Sequence, residues 1–236
     1  MATAATPPPT TAASELNMYI PTNQPLLTRI RLAANPDVPA IHKMIYQMAA
    51  FQRLADQCFS TESSLSTTLF SKDNHFESFT VFLIEVSTKS FPSSSAAHHP
   101  EFTPIHKTLN VHPPVSDPEP ETFKSSTMED EVFVAGFVLF FPNYTMSVAK
   151  PGFYIQDLFV RKSYRRMGLG KMLLAVVARQ AVEMGYGRVE WVVLDWNTNA
   201  IKFYEEMGAY VVKEWMVYRL ISDGLQAFAA TNDLEK

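Results

Sequence analysis

The sequence predicts a mixed α/β domain with its core between about residues 29 and 220. Segments with the apolar pattern of strands alternate with segments that have the pattern of amphipathic helices. Apolar residues make up 47% of the 236 residues and charged residues 19%, which are ordinary values for a globular protein. Two predicted helices end at a glycine, Gly185 and Gly208, which is typical of left-handed C-caps.

The first half of this core contains two strands and two helices. Residues 27–33 alternate apolar and polar side chains, which predicts a strand, and Asn35-Pro36-Asp37 is a turn and helix-start signal. Apolar residues recur at helical spacing in residues 38–54, and a second helix is predicted at 62–70. The apolar run 80–86 predicts a buried strand.

The second half follows the same alternation. Strands are predicted at 132–141, 153–160 and 188–195, and one or two further strands at 210–220. Helices are predicted at 172–184 and 200–207, each followed by one of the two glycines.

Three segments are predicted to lie outside the sheet of the 29–222 domain. Residues 1–28 contain no Lys or Arg, so we expect a disordered tail and a cytoplasmic protein, with a transit peptide and a plastid location as the alternative. Residues 87–129 are rich in proline, which predicts a surface insertion loop whose His98-His99 pair is exposed. Residues 223–236 are predicted to form a C-terminal tail.

Charge and cysteine content exclude several classes of partner and site. The net charge of −4 does not suggest a nucleic-acid-binding protein, which normally has a basic face. A single cysteine, Cys58, excludes an intrachain disulfide and a cysteine-rich zinc site. No apolar run reaches the roughly 18 residues of a membrane-spanning helix, so no membrane association is expected.

A candidate phosphate-binding turn, Arg165-Arg166-Met167-Gly168-Leu169-Gly170, joins a predicted strand to a predicted helix. Its glycines allow close approach of the backbone, the N–H groups at a helix start attract anions, and the two arginines add donors, so the residues predict a pyrophosphate site. A P-loop would require Ser or Thr where Met172 follows Lys171, and the dinucleotide motif would require a third glycine. An ordinary strand–helix loop is the remaining alternative.

These residues resemble the acyl-CoA motif Arg/Gln-x-x-Gly-x-Gly/Ala of the GNAT superfamily of N-acetyltransferases. Residues 154–160 and 195–209 resemble its diamine (spermidine/spermine) acetyltransferase branch. Residues 134–144 and the insertion resemble plant members, which include ornithine/diamine acetyltransferases and tyramine hydroxycinnamoyltransferases. The resemblance implies a mixed, mostly antiparallel sheet of six or seven strands, splayed in a V and flanked by helices.

The resemblance also implies acetyl transfer from acetyl-CoA to a primary amine of a small molecule, without a metal, in a homodimer with residues 214–220 as a candidate contact. The implied catalytic residues are Tyr204, as general acid, Asp157 and Gln156. The implied cofactor-binding residues are Leu158, Phe159, Val160, Arg165, Arg166, Met167, Gly168, Leu169, Gly170, Lys171, Asn197, Ala200 and Tyr204. The implied substrate-binding residues are Phe51, Gln52, Tyr144, Gln156 and Asp157.

Two positions depart from the diamine branch, which usually carries Glu where this chain has Gln156 and tends to carry Glu at Gln52. An amide is not a base, and each lost charge weakens attraction for a dication by roughly 1–3 kcal/mol in a partly buried site. Asp157 is adjacent to Gln156, but it is expected to face the other way because side chains alternate along a strand. The alternative is that Asp157 or Glu190 accepts the proton through a chain of water molecules. We therefore predict a smaller or aromatic amine as acceptor.

Two other functions stay open on sequence grounds. One is transfer of a hydroxycinnamoyl group to a tyramine-like amine, which would use the same CoA turn. The other is a non-catalytic scaffold that binds CoA.

Overall fold

The computed structural model describes residues 18–71, 75–91, 99–112, 114–127, 131–145 and 149–230. The chain divides into two compact units, Met1–Trp191 and Val192–Lys236. The strands of the first unit are β1 (Met18–Ile20), β2 (Pro25–Leu32), β3 (Thr80–Ser87), β4 (Ile105–Asn110), β5 (Val115–Asp117), β6 (Phe133–Thr145), β7 (Lys150–Val160) and β8 (Val189–Glu190). Its α-helices are α1 (Val38–Phe51), α2 (Glu62–Phe70) and α3 (Leu169–Glu183).

Six strands form one sheet in the order β4-β2-β3-β6-β7-β8, and β1 pairs with β5 in a separate two-stranded sheet. All neighbours in the larger sheet are antiparallel except β7 and β8, which are parallel and are connected through α3. The predicted mixed, mostly antiparallel sheet flanked by helices is confirmed.

The main apolar core lies where α1 and α2 pack on the sheet. It contains Ile41, Met44 and Met48 of α1, Leu69 of α2, and Leu83, Phe137, Leu139 and Phe159 of the sheet. These α1 residues recur at helical spacing, so one side of the amphipathic helix meets the sheet. The α3 helix packs on β6 and β7, with Leu173 and Val177 buried.

Two segments that were predicted to be tail or loop contribute strands, and those predictions are wrong. Residues 18–28 include β1 and the start of β2, whereas residues 1–17 of the predicted tail lie outside the described residues. The insertion 87–129 provides β4, which pairs with β2 at the sheet edge, and β5. Its prolines fall outside β4 and β5, so they do not interrupt either ladder.

A buried ion pair holds the insertion against the rest of the first unit. Asp117 of β5 accepts hydrogen bonds from both terminal nitrogens of Arg161 at 2.8 and 2.6 Å and from the Tyr164 hydroxyl at 2.7 Å. The buried Phe123 ring lies 3.7 Å below the Arg161 guanidinium. Because Arg161 and Tyr164 lie between β7 and the phosphate turn, the insertion braces that connection.

The C-terminal part differs most from the sequence prediction. The strand predicted at 188–195 is reduced to β8, and among residues 209–221 the structure shows no strand. A strand needs a neighbour for its backbone groups, and an apolar pattern does not supply one. The second unit contains α4 (Thr198–Glu205), which confirms the predicted short helix, and α5 (Ser222–Ala229), in the segment predicted to be a tail.

Within the described ranges, no helix has both the length and the apolar character to span a bilayer.

Candidate active site

The phosphate turn has the geometry of an anion-binding helix start. Gly168 is the N-cap of α3 in a left-handed conformation, with φ of 83°, and no side chain caps the helix there. The first helical bond runs from Met172 N–H to Gly168 C=O, so the N–H groups of Leu169, Gly170 and Lys171 precede the intrahelical ladder. A Cβ placed on Gly168 would have no atom within 4 Å, so the approach is open. The turn therefore fits a pyrophosphate.

The Arg165 side chain packs against two aromatic rings beside the turn. Its guanidinium carbon lies 5.4 Å from the centres of both the Phe51 and Phe159 rings, and its Nε donates to the Val160 carbonyl at 2.8 Å. Burial lowers its pKa from the ordinary value. To join the pyrophosphate cradle it would have to leave both rings. Arg166 lies in the turn itself with φ of 67°, and the predicted pyrophosphate contacts of both arginines stay predictions.

A β-bulge at Gln156 changes the course of β7. Leu139 of β6 pairs with Asp157 and Phe140 pairs with Ile155, so Gln156 is an extra residue on β7. β8 pairs with β7 only at Phe153 and Tyr154. From Ile155 to Val160, β7 therefore has β6 as its single strand neighbour among the described residues. The predicted splay lies between β7 and β8.

The open edge of β7 exposes two of the three predicted amides. Arg161 donates its N–H to Ala135 of β6 at 2.9 Å. Because successive residues of a strand turn their backbone groups to opposite edges, the N–H groups of Leu158 and Val160 face the open edge and that of Phe159 faces β6. The N–H of Phe159 is therefore used within the sheet and its ring lies on the α1 side, and the predicted contact of Phe159 with acyl-CoA stays a prediction.

The bulge also decides which way Asp157 faces. Paired residues lie on one face of a sheet, so Asp157 shares the face of Leu139, which belongs to the core under α1. Phe159 shares this face through its pairing with Phe137. Burial raises the pKa of the Asp157 carboxyl to about 6, and no described residue donates a hydrogen bond to it. A carboxyl with this pKa is ionised at neutral pH and can accept a proton.

Tyr144 lies far from Asp157 along the strand, and the Glu190 carboxylate already accepts hydrogen bonds. Tyr144 pairs with Pro151, six positions before Asp157 along β7, which corresponds to about 20 Å of strand. A small amine cannot touch both side chains along the strand, and the predicted substrate role of Tyr144 stays a prediction. The Glu190 carboxylate accepts hydrogen bonds from Arg188 at 2.7 Å and from Asn143 at 3.4 Å, which makes it a weaker candidate base than Asp157.

Phe51, the last residue of α1, lies beside Arg165, and its predicted substrate role stays a prediction. Its ring is 45% exposed and lines a cavity of about 390 Å³ with Phe159 and Arg165. Gln52 follows as the C-cap of α1, with its N–H donated to Met48. The predicted substrate roles of Gln52 and Gln156 stay predictions.

The second unit holds the remaining predicted residues. Asn197 caps α4, and its side chain accepts the N–H of Ala200 at 3.3 Å. Tyr204 lies in α4, with its ring 5.2 Å from that of Phe203, and burial raises the pKa of its phenol. Their roles toward CoA and the leaving thiolate stay predictions.

One group of potential metal ligands occurs among the described residues. Ligand atoms of His75, His99 and Glu101 all lie within 4.8 Å of one another. Zinc ligands bind at about 2.0–2.3 Å, so these atoms would have to move closer together. The cluster is formed in part by the insertion and is not part of the turn or of β7. The prediction that the reaction needs no metal stays a prediction.

Comparison with known proteins identifies this strand–turn–helix unit. The model of the Acetyltransferase (GNAT) family matches residues 82–209, which include β7, the phosphate turn and α4. The chain belongs to the GNAT family. It is an acyltransferase, and GNAT acetyltransferases use acetyl-CoA as the acyl donor.

Plant enzymes are among the GNAT relatives of the chain. An L-ornithine N5-acetyltransferase from Arabidopsis thaliana is 52% identical over 95% of this chain and 99% of its own. A tyramine N-feruloyltransferase from Nicotiana tabacum is 34% identical over 92% of this chain and 97% of its own. An animal relative, a thialysine N-ε-acetyltransferase from Mus musculus, is 24% identical over 86% of this chain and 97% of its own.

Solved structures agree on the GNAT fold. A V. cholerae integron cassette protein has a TM-score of 0.55 at 18% identity and covers 86% of this chain and 98% of its own. An aminoglycoside acetyltransferase from a soil metagenomic sample has a TM-score of 0.51 at 18% identity, with 82% of this chain and 97% of its own covered.

Sequence reasoning missed two features of this site. One is the bulge at Gln156, since an extra residue leaves no mark in an apolar pattern. The other is Glu119, a carboxylate from the insertion that lines the same cavity as Phe51. The only available signal was the acidic run Asp117-Pro118-Glu119 in a segment interpreted as a surface loop.

Proposed function

We propose that this GNAT protein transfers an acetyl group from acetyl-CoA to the terminal amine of a small diamine or diamino acid. One observation carries the proposal. The continuous segment from β7 to α3 presents an open amide edge, a carboxyl with a raised pKa and an anion-binding helix start. The 52% identical ornithine acetyltransferase supports a small aliphatic amine as acceptor.

On the donor side, acetyl-CoA supplies a thioester carbonyl and a thiolate leaving group. The N–H groups at the start of α3, together with Arg166, would hold its pyrophosphate. The N–H groups of Leu158 and Val160 would donate to the thioester oxygen, which becomes negative as the amine attacks. Amides fixed in a sheet stabilise such charge without having to reorganise.

On the acceptor side, Asp157 would take the proton of the amine. A free ammonium has a pKa near 10.4, so direct transfer to a carboxyl of pKa about 6 is unfavourable by about 6 kcal/mol. Because an ammonium has no lone pair, the minor neutral form of the amine attacks the thioester. Asp157 then takes the proton of the nitrogen, which is strongly acidic once the N–C bond has formed. Tyr204 would give its proton to the leaving thiolate, because a phenol with a raised pKa keeps that proton at neutral pH.

Steady-state assays on the full chain test this function. Acetyl-CoA and feruloyl-CoA are each combined with L-ornithine, putrescine, spermidine, tyramine and serotonin, and the release of free CoA is measured. We expect turnover with acetyl-CoA and the short aliphatic amines. A preference for feruloyl-CoA with tyramine would instead support the activity named for the 34% identical relatives. No CoA release with any pair would support the scaffold function.

We also propose a homodimer that uses residues 214–220. This segment carries large exposed apolar side chains, including Trp215 and Tyr218, which are 78% and 84% exposed. A second copy would cover them, because exposed apolar clusters of this kind mark association sites. Light scattering of the wild type and of a Trp215→Ser, Tyr218→Ser double variant should show a dimer and a monomer, respectively, and a monomeric wild type would contradict the proposal.

A further inference from the structure

The cavity at the C-terminal end of β7 has walls from three parts of the first unit. They are the end of α1, the end of β7 with the residues that follow, and residues 117–119 of the insertion. Its volume is about 390 Å³, and its wall includes Gln47, Phe51, Glu119, Phe159, Arg161 and Arg165. This size exceeds what a small aliphatic amine needs and leaves room for water.

One side of this cavity carries an anion. The Glu119 carboxylate is fixed by Gln47 Nε2 at 2.9 Å and by Lys43 Nζ at 3.3 Å, each on a different oxygen. A carboxylate has about four lone-pair positions, so Glu119 keeps acceptor capacity. Its backbone is also fixed, since its N–H donates to Asp117 at 3.1 Å and its C=O accepts from Arg161 at 3.4 Å.

Arg165 brings a cation to the same cavity. Nε is used by the Val160 carbonyl, and the rings of Phe51 and Phe159 orient the guanidinium plane. No described residue accepts a hydrogen bond from its two terminal nitrogens. Those nitrogens form the fork that binds a carboxylate in bidentate fashion.

The spacing along β7 links this cavity to the reacting centre. Asp157 and Phe159 lie on the same face and two positions apart, which corresponds to about 7 Å. In ornithine, the α-carbon and the reacting nitrogen are separated by four single bonds, about 5 Å when extended. With its amine at Asp157, a diamino acid is therefore long enough for its α-carbon to reach the neighbourhood of Phe159.

We infer that this cavity binds the zwitterionic head group of an α-amino acid, with its carboxylate on Arg165 and its α-ammonium on Glu119. A diamine would offer Arg165 only a second positive charge, and an aromatic monoamine would offer no charged group to either Arg165 or Glu119. Glu119 thus compensates for the carboxylates that Gln52 and Gln156 lack. The inference rests on the proposed function, and it names a diamino acid as the acceptor class.

Three matched acceptor amines test the contributions of the carboxylate and of the α-ammonium separately. L-Ornithine carries both, putrescine lacks the carboxylate, and 5-aminopentanoate lacks the α-ammonium. We expect Arg165→Gln to lower kcat/KM about tenfold or more for ornithine and 5-aminopentanoate but not for putrescine. Glu119→Gln should lower it similarly for ornithine and putrescine but not for 5-aminopentanoate, and Glu119→Asp should restore part of the loss.

Arg166→Gln is the matched control, because it removes the neighbouring guanidinium from the phosphate turn. It should raise the KM for acetyl-CoA by a similar factor with all three amines. If Arg165→Gln behaves in the same way, or if either head-group variant changes all three amines equally or none of them, the inference is wrong. Unfolding midpoints close to that of the wild type exclude a folding defect.

Calorimetric titration of the wild type with L-ornithine separates failure of this inference from failure of the proposed function. A wild type that binds ornithine more tightly than Glu119→Gln does, but releases no CoA, would contradict the acetyltransferase and keep the head-group site. A wild type that turns over all three amines at similar kcat/KM would keep the enzyme and contradict the site.

Discussion

At the scale of single residues, the important feature is that Asp157 is ionisable near neutral pH. Burial raises the pKa of its carboxyl from 3.8 to about 6. The folded state therefore binds its proton more strongly than the unfolded chain does, so Asp157 reduces stability as the pH rises from about 4 through 6. An ionisable residue that lowers stability at the pH at which the enzyme would work is often part of a functional site.

Asp157→Asn should change both the pH dependence of activity and the stability. With ornithine as acceptor, kcat/KM of the wild type should rise with pH through an apparent pKa near 6, and the variant should lose this limb. At pH 8 the variant's kcat should fall by about 10²- to 10⁴-fold, the usual contribution of a general base. Its unfolding midpoint at pH 8 should be higher than that of the wild type, because the cost of a buried carboxylate is removed. Wild-type rates with an unchanged pH profile would show that another group accepts the proton.

At the scale of structural elements, the pairing of β6 with β7 sets the geometry of the site. Gly136 of β6 pairs with Val160, and a Cβ at Gly136 would lie 2.5 Å from the Phe159 carbonyl oxygen. Glycine is therefore needed here for close approach of two strands rather than for a turn. The bulge at Gln156 lies in the same pair of strands. A change in the distance between β6 and β7 would therefore move the amides at the open edge of β7.

Gly136→Ala should push β7 away from β6. We expect a loss of about 1–3 kcal/mol in the free energy of unfolding, as for other overpacked positions. The KM for acetyl-CoA should also rise, because the amides of Leu158 and Val160 move. Gly224→Ala in α5, where the nearest atom to an added Cβ is a Leu220 methyl at 3.4 Å, is the matched control. It should leave the KM for acetyl-CoA unchanged and should not lower stability, because alanine favours a helix over glycine by about 0.5–1 kcal/mol. Equal stability of the two variants would contradict the close approach.

At the scale of the whole molecule, buried charges attach the insertion to the sheet. Glu85 of β3 is fully buried and accepts hydrogen bonds from Arg29 at 2.7 Å, Arg31 at 2.8 Å and Ser125 of the insertion at 2.5 Å. Arg31 also binds Asp37 just before α1. Burial alone would raise the pKa of Asp37, but the hydrogen bonds and charge of Arg31, with smaller contributions from Ala34 and Ser126, outweigh it and lower that pKa. The stability from Asp37 is therefore present above pH 4 and is lost as the pH falls through the lowered pKa.

Removal of the central carboxylate should loosen the insertion and the sheet together. Glu85→Ala removes a fully buried carboxylate to which Arg29 and Arg31 both donate, and we expect a loss of about 3–5 kcal/mol in urea unfolding. Glu183→Ala breaks an exposed pair with Arg179 in α3 and should cost only about 0.2–0.5 kcal/mol. A similar small effect for both variants would show that the insertion does not depend on this network.

The elements of the core were predictable because they depend on local patterns. Helices α1 to α4 and strands β2, β3, β6 and β7 lie within a few residues of their predicted bounds. The predictions failed where a partner distant in sequence decides the structure. β4 forms because β2 offers a free edge, and the apolar residues 210–220 form no strand in the part of the chain that the structure describes.

The sequence by itself determined the phosphate turn, because this turn is one short segment whose glycines and helix start act locally. Only the tertiary structure decided the surroundings of Asp157 and of the cavity at the end of β7. The bulge at Gln156 turns Asp157 to the α1 face, the rings of Phe51 and Phe159 hold Arg165, and the buried pair of Asp117 with Arg161 carries Glu119 to the cavity. The physical reason is that each of these placements depends on contacts between segments far apart in the chain, and no local pattern encodes such contacts.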